Sequence, residues 1–139
     1  MKRIFLFCTV ICFLLVAGCS KENEPEPEEP GRIIVLMYHR IVNGEASGLY
    51  ERSLADLEAD LEYLQENNIK VISFSDLETL SASGTMPAGN SAIITFDDGD
   101  SSWYTLVRPL LLNYQMKATF FLWTYMMGRD SFVTWQEVE

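Results

Sequence analysis

The sequence predicts an α/β fold in which a parallel sheet, open or closed into a barrel, is covered by helices. Three observations point there. Short apolar runs recur at residues 33–37, 69–73, 92–96 and 117–123. Segments with helical spacing lie between them. The resulting order, β-α-β-α-β-α-β, shows no internal repeat. Parallel strands need crossovers, which place helices on the sheet faces and make the strands themselves apolar.

Three regions divide the chain. Residues 1–18 read as a lipoprotein signal peptide. Lys2 and Arg3 carry positive charge, an apolar stretch from Ile4 to Val16 follows, and small residues close it. The stretch is too short for a comfortable membrane span. Leu15-Val16-Ala17-Gly18-Cys19 resembles a bacterial lipobox, which makes Cys19 the expected lipidation site. Residues 19–31 read as a lipidated cysteine followed by an acidic tether, because Glu and Pro alternate with no apolar residue to bury. The expected location is therefore the cell envelope, at the outer membrane or cell surface, with the membrane reached through the lipid anchor. Of the three cysteines, Cys8 and Cys12 would leave with the signal, so the folded part has no disulfide and no thiolate metal site.

Residues 32–139 form the expected domain. The first strand, 33–37, ends in Tyr38-His39-Arg40, and residues 43–48 form a loop. Ser53 opens a helix, with Asp56 placed for a capping box. Leu54, Leu57, Leu61 and Leu64 recur on one helical face, and Asn67-Asn68 stops the helix. A strand spans 69–73. Ser75 caps a short helix through Leu80, and a loop fills 81–90. Ser101 or Ser102 caps a helix to about Tyr114, with Pro109 expected to kink or restart it. The strand at 117–123 is too apolar for an exposed face. A turn follows at 128–131, and Trp135 begins another helix.

The chain carries 20 acidic against 10 basic side chains, a net charge of −10. That balance argues against nucleic acid or an anionic membrane surface as partner and favours a neutral or cationic ligand.

The candidate site is Thr95-Phe96-Asp97-Asp98-Gly99. A buried strand drives into two adjacent carboxylates and then a glycine. In parallel α/β folds, function collects at the carboxyl ends of strands. Two neighbouring ionised carboxylates repel unless one binds a cation or a proton. Gly99 allows a sharp turn, which lets both side chains reach one site. An ordinary Asp-Asp-Gly turn is the plainer reading of the stretch taken alone.

Several stretches together resemble the polysaccharide deacetylase family, the NodB-homology group of carbohydrate esterase family 4. They are Val35-Leu36-Met37-Tyr38-His39-Arg40-Ile41, Thr95-Phe96-Asp97-Asp98-Gly99, Ala118-Thr119-Phe120-Phe121 and Thr134-Trp135. The resemblance implies the amino-terminal portion of a distorted parallel (β/α) barrel. It implies hydrolysis of acetyl groups on an acetylated polysaccharide, with a divalent metal, often zinc, as cofactor. By correspondence, Asp97 is the catalytic base and Asp98 a metal ligand. The backbone N–H after the family's glycine helps bind the oxyanion. That position is Asp100 here, where the family usually has an aromatic residue.

The family completes its metal site with two histidines beyond the helix that begins at Trp135, and the only histidine in this sequence is His39. The resemblance therefore implies an incomplete domain, inactive by itself, with the C-terminal half as a further partner. His39 falls at the end of the first strand. It has two open readings: contact with substrate or support of Asp97, or a structural role donating to a backbone carbonyl. The competing function is a non-catalytic envelope lipoprotein that binds glycan, or an envelope fragment with no function of its own.

Overall fold

The structure is a computed structural model and describes residues 31–139. The signal peptide, Cys19 and the tether up to residue 30 lie outside the described residues. Among the described residues, no helix is long and apolar enough to cross a membrane.

The elements run β1 (Ile33–Tyr38), β2 (Arg40–Val42), β3 (Glu51–Ser53), α1 (Leu54–Glu66), β4 (Lys70–Val71) and α2 (Phe74–Ala82), then β5 (Ser91–Asp98). A π-helical turn (Trp103–Val107) leads into α3 (Arg108–Asn113), β6 (Thr119–Leu122), a 3-10 turn (Thr124–Met126) and α4 (Trp135–Val138). All the strand pairings are parallel, as the sequence predicts. β5 is the central strand. β1 lies along one side of it from Ile33↔Ser91 to Tyr38↔Phe96. On the other side, β4 pairs with its first residues and β6 with its last.

The two faces of this sheet differ. Paired residues of parallel strands share a face, so Tyr38, Phe96 and Phe120 stand in one row. Their rings stack, with centroids 5.3 Å apart at each step. This face meets Leu57, Leu61 and Leu64 of α1, together with Trp103, Val107 and Leu111, in the main core. Each fully buried leucine contributes roughly 1.5–3 kcal/mol. The opposite face carries Val35, Met37, Ile93, Thr95, Asp97 and Phe121. Ile93 and Thr95 are buried, whereas Val35, Met37 and Phe121 are exposed.

Exposure on both faces of the outer strands corrects two expectations. Neither β1 nor β6 is a buried strand: Ile34, Val35 and Met37 are exposed, as are Phe120 and Phe121. Among the described residues, only β5 has neighbours on both edges. An apolar run shows what a strand requires in order to be covered; the packing partners decide whether it is.

Several local readings also change. The strand expected at 69–73 shortens to Lys70–Val71. The second helix is capped by Ser73, two residues before Ser75, through a reciprocal box with Asp76. Ser53 caps α1 by accepting from the Asp56 N–H at 3.0 Å, and Asn67 and left-handed Asn68 end it. Neither serine after the aspartate pair caps in the expected way: the Ser102 hydroxyl accepts instead from the Ile41 N–H at 3.0 Å. Pro109 does restart the helix, since α3 carries it in its first turn. The ribbon of β2 with β3 was not foreseen, because three-residue strands leave no periodic signal.

Candidate active site

β5 ends at the aspartate pair, with Asp97 in register with Phe121 and Asp98 with Leu122. Asp98 takes a left-handed backbone at φ 82°, and Gly99 follows at 93°. The turn therefore begins on Asp98 itself, one residue before the glycine. Asp is among the few side chains that tolerate this region. The reversal breaks the alternation that would send neighbouring side chains to opposite faces.

The segment after the turn is pinned in place. The Val133 N–H donates to the Gly99 carbonyl at 2.9 Å, and the Ser101 N–H donates to the Ser131 carbonyl at 2.9 Å. These bonds flank the antiparallel bridge between Asp100 and Phe132. The bridge thus uses the amides of Ser101 and Val133 and leaves out the N–H of Asp100, the position the resemblance assigns to the oxyanion.

The Asp100 carboxylate is held by other groups. One oxygen accepts from the Ser102 N–H at 2.9 Å. The other lies 3.8 Å from Nε of Arg40, whose guanidinium also reaches Glu51 at 3.5 Å. Arg40 is about half exposed, so the pair is weak, of order 1 kcal/mol or less. It nevertheless sets a positive charge beside a carboxylate that would otherwise add to the local negative field. Sequence reasoning gave Arg40 no role. Its only signal was its place in the Tyr-His-Arg-Ile stretch.

Asp97 is partly buried, and its Oδ1 has no hydrogen-bond partner among the described residues. Asp98 is exposed. An orphaned buried carboxylate oxygen beside an exposed carboxylate suits a site that receives a water or a cation. The fit to a resident metal is nevertheless incomplete. Among the described residues, no group of three His, Cys, Asp or Glu side chains could hold an ion. A catalytic zinc normally takes three protein ligands, so these residues by themselves do not fit one.

His39 comes to the same end of the sheet, one step beyond the Tyr38↔Phe96 pair. Its ring tilts against Tyr50 with centroids 4.9 Å apart. Its carbonyl accepts from the Trp103 indole N–H at 2.8 Å. The expected side-chain donation to a backbone carbonyl is not found among the described residues; the backbone of His39, rather than its ring, makes the structural bond.

A second polar group was also missed. Asp60 of α1 accepts from the Tyr38 hydroxyl at 2.9 Å and from two nitrogens of Arg52 at 2.6 Å each. Burial, reinforced by Asp60, holds the Tyr38 phenol well above its ordinary range. These residues line a groove of about 600 Å³ that follows β1 and includes neither Asp97 nor Asp98.

Comparison with known proteins accounts for this arrangement. Residues 85–139 match the family model for polysaccharide deacetylase. In sequence and in fold the chain is similar to polysaccharide deacetylases. Over 112 residues it is 27% identical to YxkH of Bacillus subtilis, a polysaccharide deacetylase by name, covering 81% of this chain and 39% of the relative. IcaB from Ammonifex degensii superposes with a TM-score of 0.70 at 28% identity, covering 80% of this chain and 48% of that one. The Streptococcus pyogenes deacetylase PplD, solved with acetate, gives a TM-score of 0.69 at 22% identity, covering 79% and 51%. The chain thus spans about half the length of these solved deacetylases or less. That coverage fits the amino-terminal part of the NodB-type fold.

Proposed function

We propose that this polysaccharide deacetylase sequence serves metal-dependent hydrolysis of N-acetyl groups on a cell-surface or extracellular glycan. The observation that carries the reading is the end of β5. Asp97 presents a buried oxygen without a partner, and Asp98 is exposed on a left-handed backbone. Asp97 is the base that takes a proton from the attacking water; such a base contributes roughly 10²–10⁴-fold. The Asp100 N–H, outside the neighbouring bridge, is a donor for the oxyanion. Asp98 is the one metal ligand that the resemblance assigns among the described residues. Zinc is the ion of choice by resemblance, and the rest of the ligand set is not among the described residues.

The same reading makes the protein a lipoprotein of the cell envelope, exported by the signal at residues 1–18 and anchored through Cys19. The domain would run from residue 32, and residues supplied by a C-terminal half would complete it. The chain by itself would then be inactive. A glycan-binding lipoprotein without catalysis is the second reading, and the incomplete ligand set favours it for residues 31–139 alone.

The test uses the gene's complete product, with acetate release and metal content measured together. Asp97→Asn should abolish acetate release and keep the metal, whereas Asp98→Asn should lose the metal. Activity retained in Asp97→Asn would remove that residue as the base.

A further inference from the structure

We infer that Trp123 is a sugar-stacking residue, its indole taking the apolar face of a pyranose ring next to the sugar at the aspartate pair. The identity of the sugar polymer rests on the deacetylase reading. The placement of Trp123 does not.

Trp123 directly follows β6, at the carboxyl end of the sheet where Asp97 and Asp98 lie. Its N–H donates to the Asp98 carbonyl at 3.3 Å, and its carbonyl accepts from the Met126 N–H at 2.9 Å. A Cβ on Gly99 would lie 4.0 Å from its nitrogen. The backbone of Trp123 is thus fixed on both sides and against the residue that follows the aspartates. The Phe132 ring meets the indole at 85° with centroids 6.3 Å apart. Phe132 is in turn bridged to Asp100, so one unit holds the aromatic pair and the turn.

Even so, Trp123 is 53% exposed. The other aromatics near it are committed differently. Trp103 is buried, with its N–H bonded to His39. One face of Tyr125 is covered by the Arg129 guanidinium, 4.4 Å from the ring centroid. Trp135 opens the short helix α4, and its ring meets no other aromatic ring among the described residues, whereas the Trp123 indole meets Phe132. A half-open indole, on a backbone bonded to that of Asp98 and packed on Phe132, matches the amphipathic chemistry of a sugar ring. The ring's C–H face packs on the aromatic surface, while its hydroxyls remain in water or reach polar groups. Fixing the neighbouring sugar would position the acetylated one, which is how remote binding lowers a barrier.

The probe is an N-acetylglucosamine pentamer, titrated into the chain by calorimetry and tryptophan fluorescence. The wild type should bind with a fluorescence change. Trp123→Ala should lose about tenfold or more in affinity, and Trp123→Phe should stay within about threefold of wild type. Trp135→Ala should bind as wild type does. Unchanged affinity in Trp123→Ala, an equal loss in Trp135→Ala, or no binding by the wild type would each overturn the inference. Should Trp123→Ala fail to fold, the phenylalanine variant and the fluorescence change of the wild type still decide. In the complete gene product, acetate release with an unchanged KM in Trp123→Ala would sink the stacking role and leave the deacetylase reading standing. Trp123-dependent binding with no acetate release would do the reverse.

Discussion

The indole N–H of Trp103 donates to the carbonyl oxygen of His39, 2.8 Å away and 64 positions earlier in the chain. The bond ties the end of β1 to the π-helical turn that follows the aspartate pair. Trp103 also packs on Phe96 and Phe120. Trp103→Phe keeps the aromatic contacts and removes the donor. It should lower stability by about 1 kcal/mol, because a partly buried carbonyl loses its partner. A urea midpoint equal to that of the wild type would show that the bond contributes nothing.

Asp98 holds φ 82°, a backbone that glycine adopts freely. Asp98→Gly should therefore raise stability, by roughly 0.5–1 kcal/mol. The same change should strip metal from the complete gene product. Thermal unfolding and metal analysis check the two halves separately. A lower melting temperature would mean that the Asp98 side chain makes stabilising contacts that outweigh its strain.

Asp76 joins α2 to the start of β6. It accepts from Lys117 Nζ at 2.7 Å and from the Ser73 N–H and hydroxyl at 2.7 and 2.8 Å. Lys117, followed by the Ser73 bonds, holds its carboxyl well below the ordinary carboxylate range. A depressed folded pKa gives stability that is complete above the unfolded value, about 4, and is lost as the pH falls toward the folded one. Asp76→Asn should flatten the stability profile below about pH 4. An acid limb unchanged in that variant would assign the loss to other groups.

Residues 19–139 alone should bind zinc more weakly than micromolar and release no acetate from an acetylated glucosamine oligomer. The reason is the donor set: no three candidate ligands gather among the described residues, whereas a catalytic zinc site uses three. Calorimetric titration and an acetate assay test this. Tight binding at one site together with turnover would place His39 or another group in the site.

Cys19 should carry lipid. The wild type should partition into detergent and Cys19→Ala into water, since acyl chains contribute about 0.8 kcal/mol per buried CH₂. Equal partitioning into the aqueous phase would end the lipobox reading.

The sequence by itself determined what short-range chemistry controls. The apolar run of β5, the leucine face of α1, the stop at Asn67-Asn68 and the restart at Pro109 all follow from residues within a turn or two of one another. The same locality put two carboxylates at the carboxyl end of a strand. Tertiary structure alone decided which faces were covered. The apolar residues of β1 and β6 look as buried in sequence as those of β5, but burial depends on neighbours tens of residues away. The long-range ties were equally hidden. Arg40 meets Asp100, Ser102 reaches the Ile41 amide and Trp123 bonds to the Asp98 carbonyl only because parallel pairing brings distant strand ends together. The left-handed turn on Asp98 belongs with them: an aspartate tolerates that backbone without announcing it, and the strands and bridges on either side impose it.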